Sequence, residues 1–226
     1  YYNIGSKQYE KVPGMESFII LDHIRPTKTI WENSDCAIED LGDGIINVEF
    51  RSKMNSLGSG VLAGVNKAIE LAEKDYRGLV VGNQAPNFTV GANLAMVLMM
   101  GIEQEWDELN FAIKYFQDTV MKLRYSSIPV IVAPHGMTLG GGCEMTLHAD
   151  AVQAAAETYI GLVEFGVGLI PAGAGTKEMT LRASDRYLKD DVELNAYREY
   201  YLNIGMAKVA TSAAEAFNMD IMKHGR

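Results

Sequence analysis

Two glycine-rich stretches are the parts of this sequence most able to do chemistry. They are NFTVGANL, residues 87–94, and HGMTLGGGCEM, residues 135–145. Where such a stretch leads from a strand into a helix, the first N–H groups of the helix have no internal acceptor and point outward. The helix dipole adds partial positive charge, and the missing side chains let a carbonyl oxygen approach the backbone. Two such turns could hold one oxygen between two N–H groups.

Two glutamates accompany these turns in apolar sequence. Glu144 directly follows the three glycines, and Glu164 stands among apolar neighbours in GLVEFGVGLIPAGAGT, residues 161–176. Apolar surroundings favour the neutral carboxyl, so such a residue can exchange protons near neutral pH. For Glu164, an exposed position on a loop is the alternative interpretation.

Phosphate binding and a purely structural tight turn are the alternatives for the second glycine stretch. It lacks the Lys-Ser/Thr of a P-loop, and GGGCE does not match GxGxxG with an acidic residue about 20 positions further on. A tight turn alone would also use glycine. These comparisons favour an oxyanion site.

Composition limits the class of protein and its partners. The 226 residues suit one domain, or a domain plus an extension, and a net charge of -9 disfavours a nucleic-acid partner. No apolar run approaches the roughly 18 residues that cross a bilayer. Cys36 and Cys143 form neither a disulfide framework nor a metal array, which favours a reducing, cytoplasmic compartment. The start at Tyr1 indicates a chain cut from a longer one.

The predicted elements alternate between strand and helix, which indicates an α/β fold with parallel strands joined by helical crossovers. Residues 1–35 lack sustained periodicity and are predicted to be a linker or docking arm, with the domain proper at 36–226. Gly42-Asp43-Gly44 predicts a hairpin turn. The predicted strands include RGLVVGN, PVIVAP and ADAVQAAA. The predicted helices are 57–75, 93–124 with a break near Gly101, CEMTLHA, AGAGTKEMTLRA and 190–218, where SAAEAF resembles a capped start.

Together, VGANL, GGGCE and VEFGVGLIPAGAGT at these separations resemble the crotonase superfamily, and within it the enoyl-CoA hydratases. The resemblance runs from about Cys36 to about Asp220, and RSKMNSL is similar to the family's loop after its first hairpin. It implies a crotonase-like spiral of ββα units whose C-terminal helical segment is truncated. The family's typical GAD reads GAN here, which keeps a helix N-cap at Asn93 and loses a charge.

The resemblance also implies an activity: hydration of 2-trans-enoyl-CoA to 3-hydroxyacyl-CoA in fatty-acid β-oxidation. The N–H groups of Ala92 and Gly141 would hold the thioester oxygen, Glu144 would deprotonate the water, and Glu164 would protonate carbon 2. Neither a metal nor a separate cofactor is implied, because coenzyme A is part of the substrate. A Δ3,Δ2-enoyl-CoA isomerase and a non-catalytic acyl-CoA-binding or assembly domain are the alternatives.

Further substrate contacts are implied around these four residues. They are Lys53, Met54, Val90, Gly91, Asn93, Leu94, Gly140, Pro171 and Gly173. Lys53 would meet a coenzyme A phosphate as a point charge, unless it is a solvated surface lysine. The family lines its acyl tunnel after the first turn, where this chain has Met96, Leu98, Met99, Met100 and Trp106. Core packing is the alternative for these side chains.

The other reactive residue types are predicted to be structural. Four histidines, His23, His135, His148 and His224, show no metal spacing and are predicted to be structural or solvated. Cys143 is predicted to be a buried filler, and Asp150 to bond a backbone turn. The family's trimers and pairs of trimers imply a homo-oligomer, or instead contact with the rest of a multifunctional parent chain that carries a 3-hydroxyacyl-CoA dehydrogenase.

Overall fold

A computed structural model describes residues 1–10, 12–15, 18–190 and 192–223. The strands are β1 (Tyr2–Asn3), β2 (Gln8–Tyr9), β3 (Thr29–Glu32), β4 (Cys36–Gly42), β5 (Ile45–Phe50), β6 (Gly78–Val81), β7 (Val130–Val132), β8 (Gly136–Leu139), β9 (Ala151–Val152) and β10 (Thr158–Gly161). The helices are α1 (Leu21–Lys28), α2 (Ser59–Asp75), α3 (Leu94–Ile102), α4 (Trp106–Tyr125), α5 (Gly141–Leu147), α6 (Gly175–Arg186), α7 (Glu193–Gly205) and α8 (Ala213–Asn218). Lys53–Asn55 and Glu164–Val167 form 3-10 helices.

The main sheet has six strands in the order β3-β4-β5-β6-β7-β9. The first three are antiparallel, and the β5-β6, β6-β7 and β7-β9 pairs are parallel. The predicted hairpin turn joins β4 to β5, and its residues Gly42, Asp43 and Gly44 all have positive φ. Such a turn matches the twist of the flanking strands. The predicted α/β class with parallel crossovers is therefore confirmed.

The core fills one face of this sheet. Alternate residues of β5 and one stripe of α2 bury the side chains that meet there. These are Ile46, Val48, Phe50, Val61, Val65, Ala68 and Ile69. Each large aliphatic side chain buried in this way contributes roughly 1.5–3 kcal/mol. A second apolar cluster lies beneath α5, α6 and α7, and it includes Cys143, Leu147, Ile160, Met179 and Tyr200.

A second, two-stranded sheet pairs β8 with β10 in parallel. The sequence predicts PVIVAP as the strand before the glycines, but β8 intervenes and runs directly into them. β8 and β10 have four residues each, and β8 includes Gly136 and Thr138, so neither shows a sustained apolar pattern. The second glycine turn is therefore supported by this two-stranded sheet and not by the six-stranded one.

The later part of the segment 1–35, from Leu21 onward, is attached to the rest of the fold. β3 pairs with β4, and α1 packs beside them. Arg25 of α1 forms an ion pair with the buried Glu49 of β5. Leu21 N–H donates to Gln84 Oε1 at 2.7 Å. The division of the chain at residue 35 stays a prediction, and its residues 11, 16 and 17 lie outside the described part.

The long helical segments follow the predictions with local differences. The predicted break near Gly101 falls two residues later, since α3 ends at Ile102 and α4 begins at Trp106. The segment 190–218 contains two helices, α7 and α8, and residue 191 lies outside the description. Ser212 caps α8, where its Oγ accepts the Glu215 N–H at 3.1 Å. No helix in the described ranges is both long and apolar enough to span a membrane.

Candidate active site

The two glycine-rich turns lie side by side. Thr89 and Thr138 form a parallel bridge, in which Thr89 N–H donates to Met137 O at 3.0 Å and Leu139 N–H donates to Thr89 O at 3.1 Å. Ala92 and Gly141 each lie three residues beyond this bridge. The register therefore brings equivalent backbone positions of the two turns next to each other.

Gly91 allows the close contact between the turns. Its φ is 88°, and a Cβ at this position would lie 2.9 Å from Leu139 O and 3.5 Å from Gly141 N. A side chain would therefore strain the backbone and push the second turn away. Gly91 O accepts the Leu57 N–H at 2.9 Å, which ties the loop after β5 to the same place.

The backbone N–H groups of Ala92 and Gly141 lie where the two turns lead into α3 and α5. Neither donates a hydrogen bond to another group in the part of the chain that the structure describes. Gly141 is the first residue of α5, where backbone donors have no acceptor within the helix. Ala92 precedes Asn93, whose side chain caps α3 by accepting the Met96 N–H at 3.4 Å. The predicted N-cap is confirmed, and two unpaired donors stand on adjacent turns.

Glu144 is held in the first turn of α5 and is 3% exposed. Its Oε1 accepts the Gly175 N–H at 2.8 Å, at the start of α6. A Cβ on Gly173 would lie 2.2 Å from Glu144 Oε2, so only glycine leaves room for this carboxyl group. Burial and then the charge of Glu164 raise its pKa to about 8, against the opposing effect of the two backbone donors at Gly175 and Gly173.

Glu164 approaches the same turn from the 3-10 helix after β10. Its Oε1 would lie 3.2 Å from a Cβ on Gly140. Its Oε2 is buried and has no hydrogen-bond partner among the described residues. Burial raises its pKa as well. The alternative of an exposed loop glutamate is therefore wrong, because the Glu164 side chain is half-buried. Its Oε2 remains without a hydrogen bond among the described residues.

Apolar side chains flank the carboxyl groups on the α4 side. The Phe116 ring would lie 3.2 Å from a Cβ on Gly141 and 2.5 Å from one on Gly173. Leu57 reaches the same position on Gly141 at 3.0 Å. Gln117 Nε2 donates to Ala172 O at 2.6 Å and fixes α4 against the turn before α6. These contacts confine the space beside Glu144.

The apolar side chains of α3 do not join the core. Met96, Leu98, Met99 and Trp106 are all at least half exposed, and none of the residues of α3 is buried. The core-packing alternative is therefore wrong for these four residues, because their side chains face solvent. A solvent-facing apolar helix next to the first turn fits a binding surface.

The other predicted substrate contacts occupy varied positions. Lys53 and Met54 lie in the 3-10 turn after β5, where both are exposed and Met54 has a φ of 58°. Leu94 is exposed at the start of α3, and Val90 is half-buried. Pro171 O accepts the Thr176 N–H at 3.3 Å, so this residue shapes the start of α6. Contact between these residues and substrate stays a prediction.

The residues predicted to be structural have identifiable partners. Cys143 is buried, and burial raises the pKa of its thiol well above the usual range, which disfavours a nucleophile. Asp150 Oδ2 accepts the Val130 N–H at 2.9 Å, so it bonds the backbone of β7 rather than its own turn. His135 Nε2 lies 2.6 Å from Ala85 O. His224 lies outside the described residues.

His148 is the residue whose position sequence reasoning least anticipated. It is fully buried directly after α5, and its Nδ1 lies 2.6 Å from the main-chain oxygen of Glu144. Of the two predicted roles, structural or solvated, the structural one is therefore confirmed for His148. Its spacing of four residues from Glu144 places both residues on one helical face, and this spacing is the sequence feature that predicts their contact.

Comparison with known proteins identifies the family. Residues 40–188 match the family described as enoyl-CoA hydratase/isomerase. The chain is 45% identical over 224 residues to a Bacillus subtilis protein named "Probable 3-hydroxyacyl-CoA dehydrogenase", covering 99% of this chain and 28% of that protein. It is 33% identical over 180 residues to a Rickettsia felis protein named as the trifunctional enzyme of a fatty acid oxidation complex, covering 80% of this chain and 25% of the other.

Solved structures show the same fold. The enoyl-CoA hydratase of Bacillus anthracis superposes with a TM-score of 0.69 at 21% identity, over 83% of this chain and 68% of that one. The enoyl-CoA hydratase of Thermoplasma volcanium gives 0.70 at 20% identity, over 85% and 71%. This chain belongs to the enoyl-CoA hydratase/isomerase family, and its α/β fold is the crotonase fold. It spans only about a quarter of the relatives matched by sequence.

Proposed function

We propose that this domain hydrates 2-trans-enoyl-CoA thioesters to 3-hydroxyacyl-CoA. The observation that carries the proposal is the pair of adjacent turns whose Ala92 and Gly141 N–H groups lack acceptors in the described structure, with two half-buried or buried carboxyl groups beside them. The family membership supports a thioester substrate. Glu144 and Glu164 then lie on the segments that would flank its double bond.

The chemistry needs both features. Addition of water to carbon 3 moves negative charge onto the thioester oxygen, and fixed N–H donors stabilise that charge more in the transition state than in the ground state. Loss of one such donor typically costs on the order of 3 kcal/mol of activation free energy. Ala92 and Gly141 would supply these donors without any side chain.

The two carboxyl groups divide the proton transfers. Glu144 takes a proton from the water as its oxygen bonds to carbon 3, and Glu164 gives a proton to carbon 2. This requires one charged and one neutral carboxyl group. The raised pKa of Glu144, about 8, favours its neutral form at pH 7 in the free protein. Its action as a base therefore requires Glu144 to lose this proton before water adds, while Glu164, whose pKa is also raised by burial, keeps a proton to donate.

Loss of the conjugated enoyl-thioester absorbance tests the proposal. We expect wild type to consume crotonyl-CoA or a longer 2-trans-enoyl-CoA, and Glu144→Gln and Glu164→Gln each to lower kcat by about 100-fold or more, within the usual range for acid-base groups. Equal rates in all three proteins would remove both residues from the mechanism. A product with a shifted double bond and no added water would identify an isomerase, and tight binding without turnover would identify a binding domain.

The larger protein context is part of the proposal. The name of the Bacillus subtilis relative supports residues 1–226 acting beside a 3-hydroxyacyl-CoA dehydrogenase, which would oxidise the hydroxyl group made here. The name of the Rickettsia felis relative supports a place in a multifunctional fatty-acid oxidation protein. Association with such a domain or with further copies of this chain would cover the exposed apolar residues of α3. Size measurement of the purified protein by light scattering separates a monomer from the trimers of the family.

A further inference from the structure

His148 connects Glu144 to α6 on the side away from the glycine turn. The imidazole is fully buried, with Nδ1 2.6 Å from Glu144 O and Nε2 3.0 Å from Lys177 Nζ. Lys177 belongs to the first turn of α6. The ring therefore bridges the backbone of one helix and a side chain of the next.

The hydrogen-bond chemistry fixes the direction of this bridge. A lysine ammonium group has donors and no acceptor, so Nε2 must accept a hydrogen bond from Lys177 Nζ. The neutral ring then carries its hydrogen on Nδ1, which donates to Glu144 O. Burial lowers the pKa of His148 to about 4 and keeps this neutral form at physiological pH. Without the ring, Glu144 O would be one of the unsatisfied carbonyls at the end of a short helix.

Charged groups surround the outer end of the bridge. Glu178 Oε2 of α6 lies 3.6 Å from His148 Nε2 and 3.4 Å from Lys177 Nζ. Arg124 of α4 forms an ion pair with Glu178. Glu178 thus attracts the Lys177 ammonium group and keeps it close to the imidazole, while Arg124 balances the charge of the same carboxylate.

Glu144 is in this way attached to α6 at both ends. Its carboxyl group accepts the Gly175 N–H, and its carbonyl group is linked through His148 to Lys177, two residues further along the same helix. We propose that His148 is a positioning residue, which holds the Glu144 carboxyl group in register with the substrate carbons. This inference rests on the hydratase function proposed above.

Two substitutions separate positioning from simple support of the fold. In His148→Asn the side-chain amide nitrogen takes the place of Nδ1 and can still donate to Glu144 O, whereas His148→Gln places its amide near Lys177 and gives up the inner bond. We expect His148→Asn to keep kcat within about 3-fold of wild type. We expect His148→Gln to lower kcat about 10-fold or more with KM nearly unchanged, as for a small displacement of a reacting group.

The pH dependence of kcat provides a second readout. Lys177 and Glu178 on α6 and Arg124 on α4 are the charged groups that face the ring, and Glu144 meets it through its main-chain oxygen. We expect the apparent pKa of the limb of the pH–kcat profile that reports Glu144 to shift in His148→Gln. In His148→Asn we expect this apparent pKa to stay at the wild-type value. Lys177→Met should give a smaller shift in the same direction.

The outcomes distinguish the inference from the function. If wild type hydrates enoyl-CoA and both His148 variants lose the same fraction of kcat, or change only in thermal midpoint, His148 merely supports the fold and the positioning role is wrong. If wild type fails to hydrate any enoyl-CoA while remaining folded, the proposed function fails first. Retained kcat in His148→Asn with a selective loss in His148→Gln establishes the role.

Discussion

Thr89 and Thr138 pair in parallel, and this single bridge joins the first glycine-rich turn to the second sheet. β8 carries Thr138 and is itself paired with β10, which ends three residues before Glu164. One small sheet therefore orders both turns and the second carboxyl group. The geometry of the candidate site therefore depends on the pairing of this small sheet as well as on the six-stranded sheet.

A side chain at Gly91, between the two glycine-rich turns, should disrupt the proposed binding site for the thioester oxygen. Gly91→Ala places a methyl group 2.9 Å from Leu139 O at a φ of 88°, so we expect the two turns to separate. The hydratase kcat/KM should fall on the order of 100-fold, the usual effect of losing one oxyanion donor. Steady-state assays with crotonyl-CoA measure it.

Gly101→Ala is the matched control for Gly91→Ala. Gly101 lies in α3, and a Cβ there meets nothing within 4 Å. Alanine in a helix should leave activity intact and raise stability slightly, by about 0.5–1 kcal/mol. Retained activity in Gly91→Ala would show that the turns tolerate the methyl group, and an equal loss in both variants would show that the effect is not specific to the turns.

The sequence predicts the candidate turns well, because their glycines and caps are local signals. The turn positions of Gly91 and Gly141 and the helix cap at Asn93 can all be predicted from the residues next to them in the sequence. The sequence does not predict β8 and β10, because four-residue strands with glycine and threonine show no clear period.

Two further features of the site could not be predicted from the sequence because they depend on long-range contacts. The approach of Gly173 to Glu144 and the buried ring of His148 depend on how α5 packs against α6. Periodicity predicts the face that a helix buries and not the partner it meets. The same limit applies to α3, whose apolar residues are compatible in the sequence with either an acyl tunnel or the core, and which has no buried residue in the structure.

Phe116 should limit the acyl chain that the site accepts. Its ring lies against the Gly141 and Gly173 positions, beside the Glu144 carboxyl group. Phe116→Ala removes this wall, so we expect the ratio of kcat/KM for 2-octenoyl-CoA to that for crotonyl-CoA to rise on the order of 10-fold. Phe111→Ala, on the same helix with a side chain 69% exposed, should leave the ratio unchanged. An unchanged ratio in both variants would place the acyl chain elsewhere.

Protonation of Glu144 should appear in the stability of the protein. Its pKa of about 8 in the folded state exceeds the ordinary 4.5, so between these values the folded state binds one more proton than the unfolded state. The stabilisation is complete below pH 4.5 and is lost as pH rises through 8. The slope is at most about 1.4 kcal/mol per pH unit.

Glu144→Gln removes this proton linkage. We expect the free energy of unfolding of wild type to decline relative to that of the variant between pH 5 and pH 8, measured with urea. Taking the difference between the two proteins cancels the opposite contribution of His148, whose lowered pKa costs stability as pH falls from 6.5 towards 4. Glu108→Gln, at an exposed position of α4, is the control. Parallel curves for wild type and Glu144→Gln would mean that Glu144 is ionised at neutral pH.

The attachment of α1 should depend on Arg25. Arg25 Nε donates to Glu49 Oε2 at 2.8 Å, and the Glu49 side chain is only 3% exposed. Arg25→Met leaves that carboxylate with Arg51 alone, at 3.1 Å, so we expect a loss of about 2 kcal/mol in the free energy of unfolding. Lys114→Met breaks the exposed pair with Asp118 and should cost less than about 0.5 kcal/mol. Urea unfolding of the two variants beside wild type measures both, and equal losses would show that burial of Glu49 does not strengthen its ion pair.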